Sequence, residues 1–303
     1  MKTFYSELAL NPGYYSYGYS IYGIVEDTDS LAESYQKGFL PFVGAREQPE
    51  RMMYQARGTR VRAQEFTEAH YHRYALEKSR SFVEKGLEVI VHEREAVPDR
   101  EAVARFVSSY FRFRFGKNAV SRERIDAILA SPLLTHIIEY RLQGTAIGYS
   151  LETHGEDFIH VWYFSYAKEY EKRCLGLYIC IDFVRRAKEA GKTYAYFGGT
   201  YGSWMKYKTH FQPLEYWNGA QWIADPKSRG LKKLLAGDST RQVAFVDAWR
   251  QLHGPYYPAP YPFTSTRAEL RFLTLVMQAT PRLCIGFIVL LLLLSLYVLR
   301  TLY

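Results

Sequence analysis

Residues 161–222 gather most of the chemistry-bearing side chains of this sequence in a fixed order. Lysines alternate with rings in Trp204-Met205-Lys206-Tyr207-Lys208. Cations interleaved with aromatics suit a nucleotide-bearing partner, because the charges meet phosphates and the rings stack on bases. Glu215 follows in Phe211-Gln212-Pro213-Leu214-Glu215, where a carboxylate could orient an amine or a guanidinium through a charge-assisted hydrogen bond. Earlier, Arg173-Cys174 leads into Leu175-Gly176-Leu177-Tyr178, a tight turn opening a helix pattern whose N-terminus could receive an anion.

Strands and a helix must hold these residues in place. Val161-Trp162-Tyr163-Phe164 reads as an aromatic strand, and a helix pattern runs to Ala190 and is closed by Gly191. A second strand, Thr193-Tyr194-Ala195-Tyr196-Phe197, ends in Gly198-Gly199. Together they predict a β-α-β unit. Upstream, residues 100–111 read as a helix opened by Pro98-Asp99, and Ser121 is a plausible N-cap for a helix ended by Ser131-Pro132. Strand patterns follow over 136–141, 144–152 and 158–164, with Gln143-Gly144 as a turn. Nearer the start, 19–25, 52–55, 57–64 and 87–92 are strand-like, and 30–37 and part of 67–85 helical.

The chain has 303 residues, 48% of them hydrophobic, enough for real cores and too apolar for disorder. Its 27 tyrosines suit wet, half-buried binding surfaces, and a net charge of +8 favours a polyanionic partner or an anionic membrane face. The three cysteines, Cys174, Cys180 and Cys284, form no CxxC pair, so neither a disulfide framework nor a zinc site is expected. His70 and His72 would point to different faces of a helix, which argues against a metal there. No Ser-His-Asp order, G-x-S-x-G, Walker loop or G-x-G-x-x-G occurs.

Residues 1–22 lack the apolar core of a secretory signal. Residues 283–299 are uncharged, include the five leucines at 290–294, and lie between Arg282 and Arg300. A helix of that length rises about 25 Å, near the lower limit for a bilayer span. The expectation is a single-pass C-terminal anchor over 283–301, with Arg267, Arg271 and Arg282 keeping the bulk of the chain cytoplasmic. A buried core helix is the other reading of that run.

The ordered set Leu175-Gly176-Leu177-Tyr178, Tyr194-Ala195-Tyr196-Phe197-Gly198, Trp204-Met205-Lys206-Tyr207-Lys208 and Phe211-Gln212-Pro213-Leu214-Glu215, closing on Trp222, resembles the C-terminal half of the arginyl-tRNA–protein transferases. The likeness extends back through Tyr35-Gln36-Lys37-Gly38-Phe39, Arg57 and Arg60-Val61, about residues 14 to 225. It implies an α/β (α+β) GNAT-like acyltransferase fold and transfer of an arginyl or leucyl group from aminoacyl-tRNA to a protein or peptide N-terminal amine. It also implies site roles. Glu215 and Tyr207 become the catalytic candidates, while Arg173, Gly176, Tyr178, Tyr163, Tyr194, Tyr196, Trp204, Lys206 and Lys208 become candidates for holding the donor.

Two departures bear on those expectations. The family's N-terminal region usually carries a cysteine cluster, whereas residues 14–22 and 54–62 hold none, so no metal or other cofactor is expected. Ser165-Tyr166-Ala167 stands where the family often has Asp-Pro, which removes a possible acid or base. In the turn, Tyr178 replaces the small residue that acetyl-CoA-binding GNAT turns carry, and its ring is expected to obstruct a pyrophosphate. An acyl-CoA-dependent N-acyltransferase and a non-catalytic, membrane-tethered binder of N-termini or RNA remain the two rival readings. The expected division is a small mixed domain over 1–95, the GNAT-like domain over 96–225, a helical and Pro/Tyr-rich linker over 226–282, and the anchor. Oligomeric state is not legible.

Overall fold

The computed structural model describes residues 1–7, 19–26, 30–42, 51–68, 73–116 and 120–237. In chain order, β1 (Lys2–Glu7), β2 (Tyr19–Ile24), α1 (Leu31–Gln36), β3 (Phe39–Pro41) and β4 (Met52–Gln55) come first. The four strands form an antiparallel sheet in the order β1-β2-β4-β3. Ser30 caps α1 by accepting the Glu33 N–H at 3.2 Å, leaving Tyr35 to enter the core.

Next come β5 (Gly58–Arg62), α2 (Arg73–Glu84), β6 (Leu87–Glu93), α3 (Arg100–Phe115) and α4 (Arg122–Ala130). Asp99 and Ser121 cap α3 and α4, accepting the N–H of Ala102 at 2.8 Å and of Arg124 at 3.3 Å. The chain continues through β7 (His136–Leu142), β8 (Thr145–His154), β9 (Phe158–Tyr166), α5 (Leu175–Glu189), β10 (Tyr194–Gly199), β11 (Leu214–Trp217), β12 (Trp222–Ala224) and α6 (Arg229–Gly237). These strands and β5 make one eight-stranded sheet, in the order β12-β11-β5-β10-β9-β8-β7-β6. The run β6 to β9 is an antiparallel meander, and β10 lies parallel to β9 across the α5 connection.

Three apolar clusters hold the layers. Val103, Val107 and Phe111 of α3 pack with Ile125, Ile128 and Leu129 of α4 over Ile137, Ile138 and Tyr140. Ile181, Phe183, Val184 and Ala187 of α5 pack over Val61, Ala195 and Phe197, and Leu231 and Leu235 of α6 join them. Tyr35 of α1, with Phe39, Leu40 and Met53 of the small sheet, closes on Phe158 and Tyr196 of the large one.

Two expectations need correction here. The division at 95/96 does not separate sheets: β5 and β6, from the first 95 residues, are strands of the same sheet as β7 to β12. α6, expected within a linker, is instead packed into the core through Leu231 and Leu235, 0% and 4% exposed. The physical reason is the same in both cases. Strands and an amphipathic helix need partners, and here the partners of β5, β6 and α6 lie outside the segments the sequence pattern assigned them to. The expected anchor over 283–301 lies outside the described residues; among those described, no helix is long and apolar enough to cross a membrane.

Candidate functional site

β9 and β10 pair over only three positions, Tyr194↔Phe158, Ala195↔Ile159 and Tyr196↔His160. Beyond Tyr196 the register of β10 shifts toward β5, with Gly198 opposite Thr59 and Gly199 opposite Gly58. β9 continues to Tyr166, and its pairing with β8 carries a bulge, Leu151↔Tyr163 beside Glu152↔Val161. The two parallel strands therefore part at His160 and Gly198. Residues 161–166 of β9 are left without a partner on β10. Gly198 adopts φ +75°, where a Cβ would be strained, and a Cβ would also stand 3.3 Å from His160 Nε2.

Buried polar groups cluster at the parting. Lys208 is 3% exposed, and its Nζ donates to the carbonyls of Phe197 and Gly199, both at 2.7 Å. Burial pulls its ammonium down to about 7. His160 Nδ1 lies 2.8 Å from Tyr35 Oη, and burial, with the charge of Lys208 adding to it, lowers the imidazole to about 3. Burial pushes the nearby Cys180 thiol up to about 12, so it is no thiolate nucleophile. The segment after β10 is fixed by a Thr59–Thr200 hydroxyl pair at 2.9 Å and by Arg57, whose Nε donates to the Thr200 carbonyl at 2.9 Å.

The expected donor-binding residues fall into three places. Lys206 and Tyr207 are exposed on the 3-10 turn Ser203–His210, where the Tyr207 ring meets Phe164 of β9 edge-on at 6.5 Å. Trp204 is in the same turn, and its side chain lies outside what is described. Lys208 belongs to this turn but points inward. Tyr163 is half-buried against Phe111 of α3, with ring centroids 5.2 Å apart.

A second group surrounds the chain's own Arg60 instead of an open cavity. Arg60 Nε donates to Glu215 Oε2 at 2.7 Å, and Arg62 Nε stands 3.4 Å from the other oxygen. Arg60 Nη1 donates to Gln36 Oε1 at 2.8 Å and to Tyr196 Oη at 3.0 Å. Its guanidinium lies over Tyr194 at 3.7 Å and Trp222 at 4.2 Å from the ring centres. Glu215, Tyr194 and Tyr196 are thus brought together as a cage around an internal cation.

The third group is the turn before α5. Arg173 sits on the exposed 3-10 turn Lys168–Arg173, 5.8 Å from the Tyr170 ring. Gly176 allows α5 to approach β9, since a Cβ there would come within 2.7 Å of Tyr166. Tyr178 is 6% exposed and packs near Tyr140 and Phe82. The obstruction expected from its ring is therefore not made at the helix start, because α5 turns that side chain inward.

Sequence reasoning named Arg57 and Arg60 only as positions of the family likeness and missed His160 and Thr200; the Gly198-Gly199 pair signalled an irregular strand end. It also missed the network tying α5 to β8. There Arg186 is bidentate on the fully buried Glu152, at 2.9 and 2.7 Å, and donates to Asp182, which also accepts from Tyr140. Among the described residues no group of three or more His, Cys, Asp or Glu could hold a metal ion, and His70 and His72 lie outside them.

The geometry defines a mixed α/β protein whose two parallel strands part beside a buried amine. The sequence model of the family described as "Arginine-tRNA-protein transferase, C terminus" matches residues 54–218, more than half of the chain, and the chain belongs to that family. It is 35% identical over 106 residues to an aspartate/glutamate leucyltransferase of Rhizorhabdus wittichii, covering 32% of this chain and 40% of that protein. With an enzyme of the same name from Rhizobium leguminosarum bv. trifolii it shares 31% identity over 159 residues, 46% of this chain and 61% of the relative. The chain thus spans about two to three fifths of the length of these relatives. Among solved structures, the C-terminal domain of a putative lysylphosphatidylglycerol synthetase from Agrobacterium fabrum aligns with 14% identity and a TM-score of 0.38, over 75% of this chain and 62% of that one. A likeness at that score carries no weight for the fold or the function.

Proposed function

We propose that this chain transfers an aminoacyl group from tRNA to the N-terminal amine of a protein or peptide, on a GNAT-like arrangement of its elements. The parting of β9 and β10 beside Lys208, in a member of this family, is the observation that carries the reading. The element order α3, α4, a three-strand meander, α5 and a parallel β10 supports the GNAT-like assignment.

In the proposed reaction the unprotonated amine attacks the ester carbonyl carbon. A C–N bond forms, the C–O bond to the ribose breaks, and the ribose oxygen takes up a proton while the attacking nitrogen sheds one. The ester is itself the activated donor, so the reaction as proposed draws on no cofactor. The protein's task is positioning and oxyanion stabilisation. The β10-side edge of β9 over residues 161–166 offers main-chain groups to an extended acceptor peptide. Lys206 and Tyr207, with Trp204 in the same turn, receive the adenosine end of the donor. Lys208 holds the end of β10 away from β9, and Arg173 stands beside the start of α5 on the donor's path.

Leucine is the favoured donor residue, as in the names of the relatives, with Asp or Glu at the acceptor N-terminus. One internal observation agrees: Glu215, which an arginyl side chain would need, is committed to Arg60. Attachment to a membrane through residues 283–301, with the catalytic part on the cytoplasmic side, is proposed from the uncharged run alone.

The test incubates the full-length chain with labelled leucyl-tRNA or arginyl-tRNA and peptides beginning with Asp, Glu or Lys, with labelled acetyl-CoA in parallel. Leucyl label on the Asp and Glu peptides is the expected result. Transfer from acetyl-CoA alone, or binding of tRNA or peptide with no transfer from any donor, would overturn the reading.

A further inference from the structure

α6 and the 3-10 turn Ser203–His210 pack against each other and present a one-signed surface. Arg229, Lys232 and Lys233 fall at i, i+3 and i+4, one face of the helix, and are all exposed. Lys227 before the helix and Lys206 on the turn are exposed as well. Among the described residues none of these five cations is in an ion pair. The two carboxylates of residues 203–237 are both withdrawn from that surface. Glu215 is held by Arg60, and Asp225, 8% exposed, accepts the Leu231 N–H at 2.8 Å. The adjoining segment adds Glu65 and Glu68, which are paired with Arg62 and with Arg185 and Arg80.

On α3 and α4 the surface charges are matched. Arg105 faces Asp99 and Glu101, and Arg122 faces Glu101 and Asp126. A segregated positive face beside balanced ones is the electrostatic footprint of a polyanion site.

We infer that the solvent face of α6, with Lys227 and Lys206, docks the phosphate backbone of an RNA strand and leads its end toward the place where β9 and β10 part. Under the proposed function that RNA is the tRNA donor, and the inference rests on that reading for the identity of the RNA. Two observations favour RNA over an anionic membrane. The apolar side of α6 is already spent, Leu231 and Leu235 being buried in the core, so the helix has no apolar face to insert between lipids. The same turn also holds an exposed ring, Tyr207, 37% exposed and edge-on to Phe164 of β9, and rings stack on bases.

The test measures tRNA binding by the full-length chain across a salt series, for the wild type and for Lys227→Ala/Arg229→Ala/Lys232→Ala/Lys233→Ala. Affinity should fall at least tenfold near 0.1 M salt, and the slope of log K against log salt should become shallower by up to about 3.6, about 0.9 for each of the four lost cations that meets a phosphate. An Arg105→Ala/Arg122→Ala control should keep the wild-type slope, and Lys232→Arg/Lys233→Arg should keep binding. An unchanged slope in a folded quadruple variant overturns the inference. So does loss of binding to vesicles of phosphatidylcholine and phosphatidylserine with tRNA binding retained. Failure of the wild type to bind tRNA overturns this inference and the proposed function together. A reduced slope in a protein that transfers no label sinks the transferase reading and leaves the surface standing.

Discussion

Arg60 Nε and Glu215 Oε2 meet at 2.7 Å across the β5–β11 pairing, with side chains only 5% and 12% exposed. Two charges so far from water are tolerable because each supplies the other's counter-ion and the rings of Tyr194 and Trp222 flank the guanidinium. Removing Glu215 strands Arg60, whereas removing Arg60 leaves Glu215 with Arg62 3.4 Å from its other oxygen. Glu215→Ala should cost about 3–5 kcal/mol and Arg60→Ala somewhat less, whereas Arg60→Met combined with Glu215→Leu should recover most of the loss. Urea unfolding of the three variants checks this. Single-variant losses below about 1 kcal/mol would mean that the pair behaves as a solvated one.

Lys208 makes stability rise with pH in the alkaline range. Its ammonium ionises near 7 in the folded chain, against an ordinary value of 10.5. Between those values the unfolded chain holds a proton that the folded chain has released, so raising the pH favours folding. Denaturant midpoints measured from pH 6.5 to 9 should climb in the wild type. Lys208→Met should flatten that climb, although it also leaves the carbonyls of Phe197 and Gly199 without their donor. A variant with the wild-type climb would place the titration elsewhere.

Acid should weaken the seam between α5 and β8. Burial opposes ionisation of Glu152, but the charge and paired N–H groups of Arg186, with His154 at 2.8 Å, outweigh it and hold the carboxyl well below the usual range. A depressed carboxyl contributes stability above its unfolded value of 4.5 and loses it progressively below. His136, lowered to about 4 chiefly by burial and then by the stacked His154, adds a loss between 6.5 and 4, where only the unfolded chain binds that proton. Thermal midpoints should therefore fall from pH 6.5 downward, in two stages. His160, lowered to about 3 by burial, loses stability over the same upper range, so His136→Asn should shrink the upper stage without abolishing it. Glu152→Gln should shrink the lower stage, at a cost in stability at pH 7 because Arg186 loses its carboxylate.

Local signals made much of the fold legible. Asp99 and Ser121 announced their helices by cap chemistry, Gln143-Gly144 marked the β7–β8 turn, and the alternation of β7 to β9 marked a meander. What stayed hidden was long-range. Nothing in Gly58-Thr59-Arg60-Val61-Arg62 announces a strand beside β10, and short runs such as β11 and β12 carry too few alternations to separate from loop. The candidate site divided in the same way. The residue types at Lys206, Tyr207 and Lys208 were readable, but whether an adjacent lysine faces water or the core depends on what packs there. Lys206 is exposed while Lys208 is buried two residues later. Glu215 was visible as a carboxylate, yet its partner lies 155 residues away.

Gly198 should matter more to the reaction than to the fold, and Gly191 makes the comparison clean. Both are left-handed, at φ +75° and +69°. A Cβ on Gly191 would meet nothing within 4 Å, so Gly191→Ala bears only the backbone strain, about 1–2 kcal/mol. At Gly198 the same strain is joined by a contact 3.3 Å from His160 Nε2, and His160 is held by Tyr35. Neither partner can yield without moving the end of β10, and that end supplies both carbonyls that Lys208 grips. Gly198→Ala should therefore cost somewhat more stability than Gly191→Ala, by roughly 1 kcal/mol. It should also lower kcat for aminoacyl transfer by at least tenfold in protein that remains folded, while Gly191→Ala stays within about twofold of wild type. Equal rates for the two variants at matched folded fraction would show that the reaction tolerates a displaced β10, and would move the reacting centre away from the parting of the strands.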